Sequence, residues 1–530
     1  MKEKVEALIK KCITAADVVK LFSGRIRLVS HYDADGICSA AIMVKALSRE
    51  GKDFHLSIVK QLTSDMIENL SKEKNELVVF TDLGSGLLEI IQEKLVSRGT
   101  RVIILDHHEK QGEVQEKNSE ILHHINPLDF GISENISGSG VTYLFARALN
   151  PVNKDLSVLG IIGAIGDSQT GSIGENWGLM GLNKEILKDA QASGRIKVER
   201  GLRLWGRKTR PIHKVLEYSI DPYIPGVSGS ESRSVQFLQD IGIKLKEGKK
   251  WRTLSDLSEE ETKKLASAII AERAMNGEEN PEWIFGDVYE LPEWNGELSD
   301  ANEFATVLNA CGKTGNAYIG VALCLLDKNY MHEVENILAS YRKEIGKALS
   351  WIEQHKEAVR ETEHAIYVMA GDNISEHIIS NVVSILHKSG VFSDKPVFAF
   401  AKTEDGKVKI SVRISENLVN RGINAREITV RVAAKASGEG GGHSGAAGAT
   451  IPEGNEEIFI REVENLLKQN NLNTAPQEKI ISSEASDNGV KDGTTKSKGC
   501  GQGTEDKGRG RETGNGKKME GQGLVRYFVS

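Results

Sequence analysis

The sequence is poor in the residues that mark several classes of protein. Five cysteines are scattered along 530 residues, and none forms a CxxC pair. This argues against a disulfide framework and a zinc ribbon, and it favours a reducing compartment. No uninterrupted apolar run approaches a membrane span, and the amphipathic start MKEKVEALIKKCITAADVVKLF does not resemble a signal peptide. We therefore expect a cytoplasmic protein with no membrane partner.

A surplus of positive charge is also missing. The formal net charge is −7, so no global basic field indicates nucleic acid. The hydrophobic content of 39% is enough for sizeable cores, and the length predicts two to four domains.

Two stretches of the chain have an α/β pattern. From Arg25 to about Lys188, buried runs such as RIRLVS, ELVVFT and RVIIL alternate with helical segments, which predicts a mainly parallel sheet covered on both faces. A smaller α/β pattern runs from His364 to Lys468. Residues 190 to 330 between them are polar and helix-rich, and one long amphipathic helix is predicted near 331–359.

Acidic and histidine-bearing turns follow the predicted strands. If its backbone is extended, the segment HYDADG places His31, Asp33 and Asp35 on one side. Three further groups of this kind lie at element ends: Asp82, the run Asp106-His107-His108, and Asp167. Each has an ordinary alternative as a solvated turn or a helix cap. Together they predict convergence at one sheet edge, with enough ligands for two manganese or magnesium ions that share a carboxylate.

The motifs HYDADG, FTDLG, LDHHE and GAIGD, in this order, resemble those of the DHH phosphoesterase superfamily. The stretch GEGGGHSGAAGATI is similar to the companion DHHA1 domain. Within the superfamily the long insert and NEFATVLNACGKTGNAYIGVALCL resemble archaeal RecJ-like nucleases, which are similar to bacterial RecJ and to a eukaryotic replicative-helicase subunit.

The resemblance implies a role for each residue of the motifs. His31 and Asp33 would bind one Mn²⁺ ion, Asp35 the other, and Asp82 would bridge them, with Mg²⁺ as the other possible cation. His107 and Asp167 would complete the metal site. His108 would contact the scissile phosphate, and Asp106 would orient His107.

The glycine-rich stretch is expected to bind phosphate. Backbone amides of Gly440, Gly441 and Gly442 can approach phosphate oxygens closely, and His443 can donate to one. Arg413 could clamp another phosphate, or it could be a surface strand residue. A basic run could follow a phosphate backbone or form a solvated helix face, and Trp205 within it could stack on a base. The run comprises Arg195, Lys197, Arg200, Arg203, Arg207, Lys208 and Arg210.

The last ten residues, GQGLVRYFVS, end a glycine-rich, charged tail that we expect to be disordered. Leu524, Tyr527 and Phe528 have the spacing aliphatic-x-x-aromatic-aromatic, which resembles the peptide by which replication enzymes bind the sliding clamp. The usual glutamine is displaced, since Gln522 lies one place late. A chance apolar end is the alternative.

Taken together, the sequence predicts two α/β lobes around a cleft and two-metal hydrolysis of a phosphodiester, and the resemblance implies an exonuclease specific for single-stranded DNA or RNA. The expected domains are a DHH domain (1–190), an insert (191–330), a connecting helix (331–360), a DHHA1 domain (361–470), a linker (471–518) and the clamp-like peptide (519–530). Archaeal relatives imply that the insert joins the GINS replication complex. An oligonucleotide or phosphoadenosine-phosphate phosphatase and a replication scaffold are the alternatives.

Overall fold

The computed structural model describes residues 2–473, except 116–117, 119, 133–135, 172–177, 220–221, 279 and 389–394. The predicted linker and the clamp-like peptide therefore lie outside the described residues.

The first lobe is built on a parallel five-stranded sheet, as the alternating pattern predicts. The strand order is β2-β1-β3-β4-β5, and every neighbouring pair is parallel. The strands are β1 (Ile26–His31), β2 (Phe54–Val59), β3 (Leu77–Thr81), β4 (Arg101–Leu105) and β5 (Leu122–Ile125). The central strand β3 is buried at all five positions, which explains its continuous apolar run.

Helices cover both faces of this sheet. They are α1 (Lys2–Leu21), α2 (Ala34–Arg49), α3 (Ser64–Lys72), α4 (Leu88–Lys94), α5 (Gly138–Leu149), α6 (Ser157–Gly166) and α7 (Gly181–Ala192). One face packs α1, α2, α5 and α6 into the main apolar core, and the other packs α3 and α4 into a smaller one. Helix α6 is buried along its length, as expected from the run SVLGIIGAIG.

The middle segment divides between two cores. Its elements are β6 (Lys197–Leu202), α8 (Ile212–Glu217), α9 (Glu231–Asp240), β7 (Lys246–Glu247), β8 (Lys250–Trp251), α10 (Glu259–Met275), β9 (Phe285–Glu290), α11 (Ala301–Lys313) and α12 (Ala317–Cys324). Residues between Leu202 and Ile284 have a separate apolar core. Helices α11 and α12 instead pack on α2 and α6 of the first lobe.

Helix α13 (Met331–Gln354) confirms the predicted long helix and leads to the second lobe. The elements of this lobe are β10 (Val359–Glu361), β11 (Ile366–Gly371), α14 (Ile379–Lys388), β12 (Val397–Lys402), β13 (Lys407–Arg413), α15 (Glu416–Asn420), α16 (Ala425–Lys435), β14 (Glu439–Gly442), β15 (Ala446–Pro452) and α17 (Glu456–Asn473). Its six-stranded mixed sheet has the order β10-β11-β12-β13-β15-β14. Among the described helices, none combines the length and apolar character needed to cross a bilayer.

Candidate metal centre at the cleft

The HYDADG segment is a strand-to-helix turn, in agreement with the prediction of an acidic, histidine-bearing turn after a strand, and its backbone is not extended throughout. Strand β1 ends at His31, and Asp33 caps α2 by accepting a hydrogen bond from the backbone N of Gly36 at 3.0 Å. Asp35 already lies in the first turn of α2. A Cβ on Gly36 would lie 2.3 Å from the His31 carbonyl oxygen, so the tight turn requires glycine. The turn gathers the three side chains at the carboxyl end of β1.

Asp82 lies directly after β3, between the histidines of two other motifs. Its Oδ2 is 3.4 Å from His31 Nδ1, and its Oδ1 is 3.5 Å from His107 Nε2. Its backbone φ is +59°, and the residue is 2% exposed. It does not cap a helix, so the capping alternative is excluded. Asp82 is therefore positioned to be shared between two ions.

Asp35 is fixed by the amino terminus of α5. Its two oxygens accept hydrogen bonds from the backbone N of Gly138 at 2.6 Å and of Ser139 at 3.0 Å. A Cβ on Gly138 would lie 2.3 Å from Asp82 Oδ1, and one on Gly163 would lie 2.3 Å from Asp35 Oδ1. These glycines let two helices approach the carboxylates closely, which holds Asp35 beside Asp82.

The side chain of Asp106 contacts the ring of His108, which differs from its predicted contact with His107. Its Oδ1 lies 2.7 Å from Nδ1 of His108 and accepts a hydrogen bond from the His107 backbone N at 2.8 Å. Its Oδ2 accepts from the Ser85 backbone N at 2.9 Å. Asp106 therefore orients the His108 ring, whereas the sequence predicted that it orients His107.

A buried hydrogen-bond network behind Asp106 was not predicted. Ser85 Oγ lies 2.9 Å from His124 Nε2, and His124 Nδ1 lies 2.6 Å from Asp129 Oδ2. Asn126 donates to Ser85 Oγ at 3.1 Å and to the His108 carbonyl at 2.7 Å. The run HHINPLD carries no periodic pattern that would have indicated this network.

The six predicted ligands make up two of three adjacent groups of donor atoms, and the third group is Asp82, His107 and His108. Donor atoms lie within 4.8 Å of one another in the group His31, Asp33 and Asp82, and in the group Asp35, His107 and Asp167. His107 Nε2 is 3.9 Å from Asp35 Oδ2 and 3.7 Å from Asp167 Oδ2. The structure therefore brings together all six residues that the sequence predicted as ligands, from four separate motifs.

Burial and neighbouring charges shift the pKa values of residues in this cluster. Burial disfavours the charged form of the His31 ring, but the carboxylates of Asp33 and Asp82 outweigh this and raise its pKa well above the ordinary value. Burial, with the nearby Asp82 and Asp167, raises the pKa of Asp35 well above its usual range. Buried like charges are stable only with protons or cations between them.

The buried polar atoms of the cluster fit bound cations. His31 Nδ1, both carboxylate oxygens of Asp82, and His107 Nε2 are buried without a hydrogen-bond partner in the described part of the chain. Leaving such atoms without partners is costly. Carboxylate oxygens and imidazole nitrogens are ligands that suit Mn²⁺ and Mg²⁺. The donor set and its missing partners therefore fit divalent ions.

The second lobe reaches the cluster through His443. Its ring lies 5.4 Å from that of His108 and 6.0 Å from that of His107, measured between centroids. The three glycines before it form edge strand β14, not an open loop. A Cβ on Gly440 would lie 2.5 Å from the Thr429 carbonyl oxygen, and one on Gly442 would lie 2.5 Å from Ala447 Cα. Of these three glycines, only Gly441 faces open space.

Two cations lie between the lobes. Arg413 donates to Ser384 Oγ at 2.8 Å and to the Val412 carbonyl at 2.8 Å, and burial lowers its pKa to about 10. The Lys313 ammonium contacts Asn381, and burial beside Arg413 and Lys409 lowers its pKa to about 7. Among the described residues, neither Lys313 nor Arg413 forms an ion pair with a carboxylate. Lys313 was not predicted, because only the fold places the end of α11 in the cleft.

Much of the predicted basic run is neutralised. Lys197–Leu202 is a strand paired antiparallel with β9, so the alternative of a solvated helix face does not hold for these residues. Within this run, Arg195 Nε pairs with Glu293 at 2.7 Å, and Lys208 pairs with Glu290 at 2.6 Å. Trp205 has the Arg210 guanidinium 4.0 Å from its ring centroid. These ion pairs weaken the prediction that the whole run follows a phosphate backbone.

The fold and the site define a two-lobed α/β protein. Its cleft contains a cluster of donor atoms of the kind that binds divalent metal ions. Three domain families match in order: the DHH family, N-terminal domain (residues 25–163), the DHH-CID domain (204–282) and the DHHA1 domain (362–469). The chain is 32% identical over 472 residues to the uncharacterized protein MJ0831 of Methanocaldococcus jannaschii, covering 88% of this chain and 99% of that protein. The chain belongs to the DHH family.

Solved structures share the fold. The RecJ structure in complex with Mn²⁺ from Thermus thermophilus matches with a TM-score of 0.52 and 18% identity, over 87% of this chain and 55% of that chain. CDC45 from Entamoeba histolytica matches with a TM-score of 0.54 and 13% identity, over 88% of this chain and 98% of that chain. This chain thus spans about half of that RecJ chain and nearly all of the CDC45 chain.

Proposed function

We propose that the protein is a two-metal phosphodiesterase that degrades single-stranded DNA or RNA from an end. The observation that carries this proposal is the set of buried donor atoms without hydrogen-bond partners in the described part of the chain: His31 Nδ1, both oxygens of Asp82, and His107 Nε2. Leaving such atoms without partners is costly, and bound cations would offset this cost. The cluster also faces a cleft lined with cations, which supports a negatively charged substrate.

The six cluster residues divide between two cations. In this proposal His31 and Asp33 would hold one ion, Asp35, His107 and Asp167 would hold the other, and Asp82 would be shared, in agreement with two of the three donor groups. Two divalent ions, Mn²⁺ or Mg²⁺, would supply positive charge at the attacking and leaving oxygens of a phosphodiester.

His108 would donate a hydrogen bond to the scissile phosphate. The Asp106 carboxylate lies 2.7 Å from its Nδ1, so this nitrogen carries a proton and Nε2 is left for substrate. Burial disfavours the charged ring, but Asp106 outweighs this and raises the pKa of His108. A raised pKa favours the protonated ring, in which Nε2 also carries a hydrogen that it can donate.

The second lobe and α11 would bind the phosphates next to the scissile bond. Arg413 and Lys313 lack acidic partners within the described residues, and hydrogen bonds hold the Arg413 guanidinium in place. An anion entering the cleft would supply their missing counter-charge. His443 would contact the same end of the strand from above His108.

Two protein partners belong to the proposal. The insert would join the GINS complex, and Leu524, Tyr527 and Phe528 would dock on the sliding clamp. Deletion of residues 204–283 from the insert tests the binding of GINS. Titration of a peptide of residues 517–530 against the clamp tests the second, and absence of binding contradicts it.

End-labelled single strands test the nuclease proposal. We expect stepwise release of mononucleotides with Mn²⁺ or Mg²⁺, none with chelator, and none with Asp33→Ala or Asp82→Ala. A dinucleotide substrate run in parallel separates a strand nuclease from a phosphatase of short oligonucleotides. Hydrolysis that persists in excess chelator contradicts the proposal, and so does wild-type protein that releases nothing under any condition.

A further inference from the structure

The insert carries an exposed basic hairpin that the proposed reaction does not use. Strands β7 and β8 pair Lys246 with Trp251 and Glu247 with Lys250, around a turn at Gly248 and Lys249. The Trp251 side chain is 41% exposed, with the Lys246 ammonium 3.9 Å from its ring centroid. Four lysines are exposed here without an ion pair among the described residues: Lys244, Lys246, Lys249 and Lys250.

A series of rings and cations leads from this hairpin across the insert. The His213 ring lies 4.6 Å from that of Trp251. The Lys214 ammonium lies 5.7 Å, and the Arg210 guanidinium 5.0 Å, from the Tyr218 ring centroid.

The series continues to the helix that joins the lobes. The Arg210 guanidinium also lies 4.0 Å from the Trp205 ring centroid, and the Arg342 guanidinium lies 5.7 Å from it. Arg342 belongs to α13, which packs on both α11 and α14. We name this series the aromatic ladder: Lys246, Trp251, His213, Lys214, Tyr218, Arg210, Trp205 and Arg342.

The charges of the ladder differ from those of the neighbouring strand. Basic residues beside β9 are neutralised by acids, as for Arg195 with Glu293 and Lys208 with Glu290. In the ladder, Lys214 pairs with Glu217 and Glu231, but the hairpin lysines keep their charge. Rings alternating with cations are the groups that bind the bases and phosphates of an unpaired strand. The His213 ring is only 3% exposed, so within the ladder it supports Trp251 and does not contact a base itself.

We propose that the aromatic ladder and its hairpin bind single-stranded nucleic acid outside the catalytic cleft. The hairpin lysines would contact phosphates, and the exposed Trp251 would stack on a base. The ladder leads to α13, so a strand held there would run toward the cleft between the lobes. The proposal rests on the proposed function for the nature of the polymer, whereas the binding surface is separate from the metal cluster.

Binding measured without hydrolysis tests the ladder. Fluorescence anisotropy of the full chain in chelator would compare a labelled 30-nucleotide strand with a labelled tetranucleotide. The variants are Lys249→Ala/Lys250→Ala and Trp251→Ala. The control is Lys263→Ala/Lys264→Ala, which removes the same charge from exposed positions of α10 in the same insert.

The two hairpin variants should each weaken binding of the 30-nucleotide strand about 10-fold, and the control should not. In Lys249→Ala/Lys250→Ala, the loss of two phosphate contacts should also lower the slope of log Kd against log salt concentration by about 1.4. Tetranucleotide binding should stay the same in all variants. Circular dichroism should be unchanged, because the substituted side chains are exposed.

Three outcomes overturn the ladder: a wild type that binds the long strand no better than the tetranucleotide, equal weakening by the control, or an effect of the lysines without one of Trp251. The last would leave charge contacts to phosphate without the base stacking that the ladder requires. A chain that binds the long strand through the hairpin but hydrolyses nothing would contradict the nuclease proposal and leave the ladder supported.

Discussion

The ring of His443, carried by the second lobe, stacks on the ring of His108, carried by the first, with centroids 5.4 Å apart and planes inclined by 27°. Because His108 also contacts Asp106 at 2.7 Å, the two lobes meet at the residue proposed to contact the scissile phosphate. Substrate binding is therefore expected to depend on both lobes.

His443→Ala should reduce kcat/KM on a short single strand by about 10-fold, the value of one charge-assisted hydrogen bond to phosphate. The melting temperature should not change, because His443 is exposed. His443→Asn keeps a donor and should recover part of the loss. Steady-state kinetics of the three proteins measure this, and an unaltered kcat/KM for His443→Ala would remove the residue from the substrate site.

Asp82→Asn should greatly reduce the stabilisation of the protein by metal. In the metal-free protein Asp82 raises the pKa of Asp35 through like-charge repulsion, so removing its charge should leave the variant at least as stable as wild type. Mn²⁺ at about 100 times its Kd should raise the wild-type melting temperature by about 5 °C, and the variant's by much less. Differential scanning fluorimetry in chelator and in Mn²⁺ measures both, and equal stabilisation of the two proteins would contradict the shared position of Asp82.

Lys313 should make substrate binding sensitive to pH. Its pKa of about 7 means that its charge, and its attraction for phosphate, is lost as pH rises from 6 to 8. The Kd for a short strand should therefore rise across this interval in wild type and stay flatter in Lys313→Arg, whose guanidinium remains charged. Titrations at several pH values in chelator measure this, and an identical pH profile in both proteins would contradict the assignment.

The same lysine should lower stability at neutral pH. Its folded pKa of about 7 lies below the ordinary 10.5, so the unfolded chain binds more protons between these values and the contribution of Lys313 to stability rises with pH. Lys313→Met should therefore be more stable than wild type at pH 6–7, and the difference should shrink toward pH 10. Urea unfolding at several pH values measures this, and a less stable variant at pH 6 would contradict it.

Excision of the insert should separate partner binding from hydrolysis. The backbone N of Arg203 donates to the Ile284 carbonyl at 2.8 Å, so β6 and β9 can be joined by a short turn after deletion of residues 204–283. This deletion keeps α11, which carries Lys313. We expect tetranucleotide hydrolysis to remain within about 10-fold of wild type and co-purification with GINS to be lost. Retained GINS binding would refute the partner assignment.

The sequence predicted the parallel sheet and the clustering of the six candidate ligands because each motif follows a strand or helix whose apolar run is unmistakable. It did not predict β2 or β5. Strand β2 is an edge strand with only partly buried residues, and β5 is four residues long with two histidines. Both lack the continuous apolar run that identified β3.

The missed site residues depend on contacts between distant segments. Lys313 lies at the end of a helix within the predicted insert, and only the packing of α11 on α6 brings it into the cleft. Likewise, Asn309 Oδ1 accepts from the backbone N of Ala34 at 2.9 Å, across 275 positions of sequence. The sequence left open whether HYDADG is extended or a turn, because alternation of polar residues cannot be told from a helix cap followed by its first turn.

The central claim, that one cluster holds two divalent ions, is tested most directly by anomalous diffraction from crystals grown with Mn²⁺. We predict two peaks, one coordinated by His31 and Asp33, the other by Asp35, His107 and Asp167, with Asp82 contacting both. A map with no peak at these residues, or with a single peak at saturating Mn²⁺, would contradict the account.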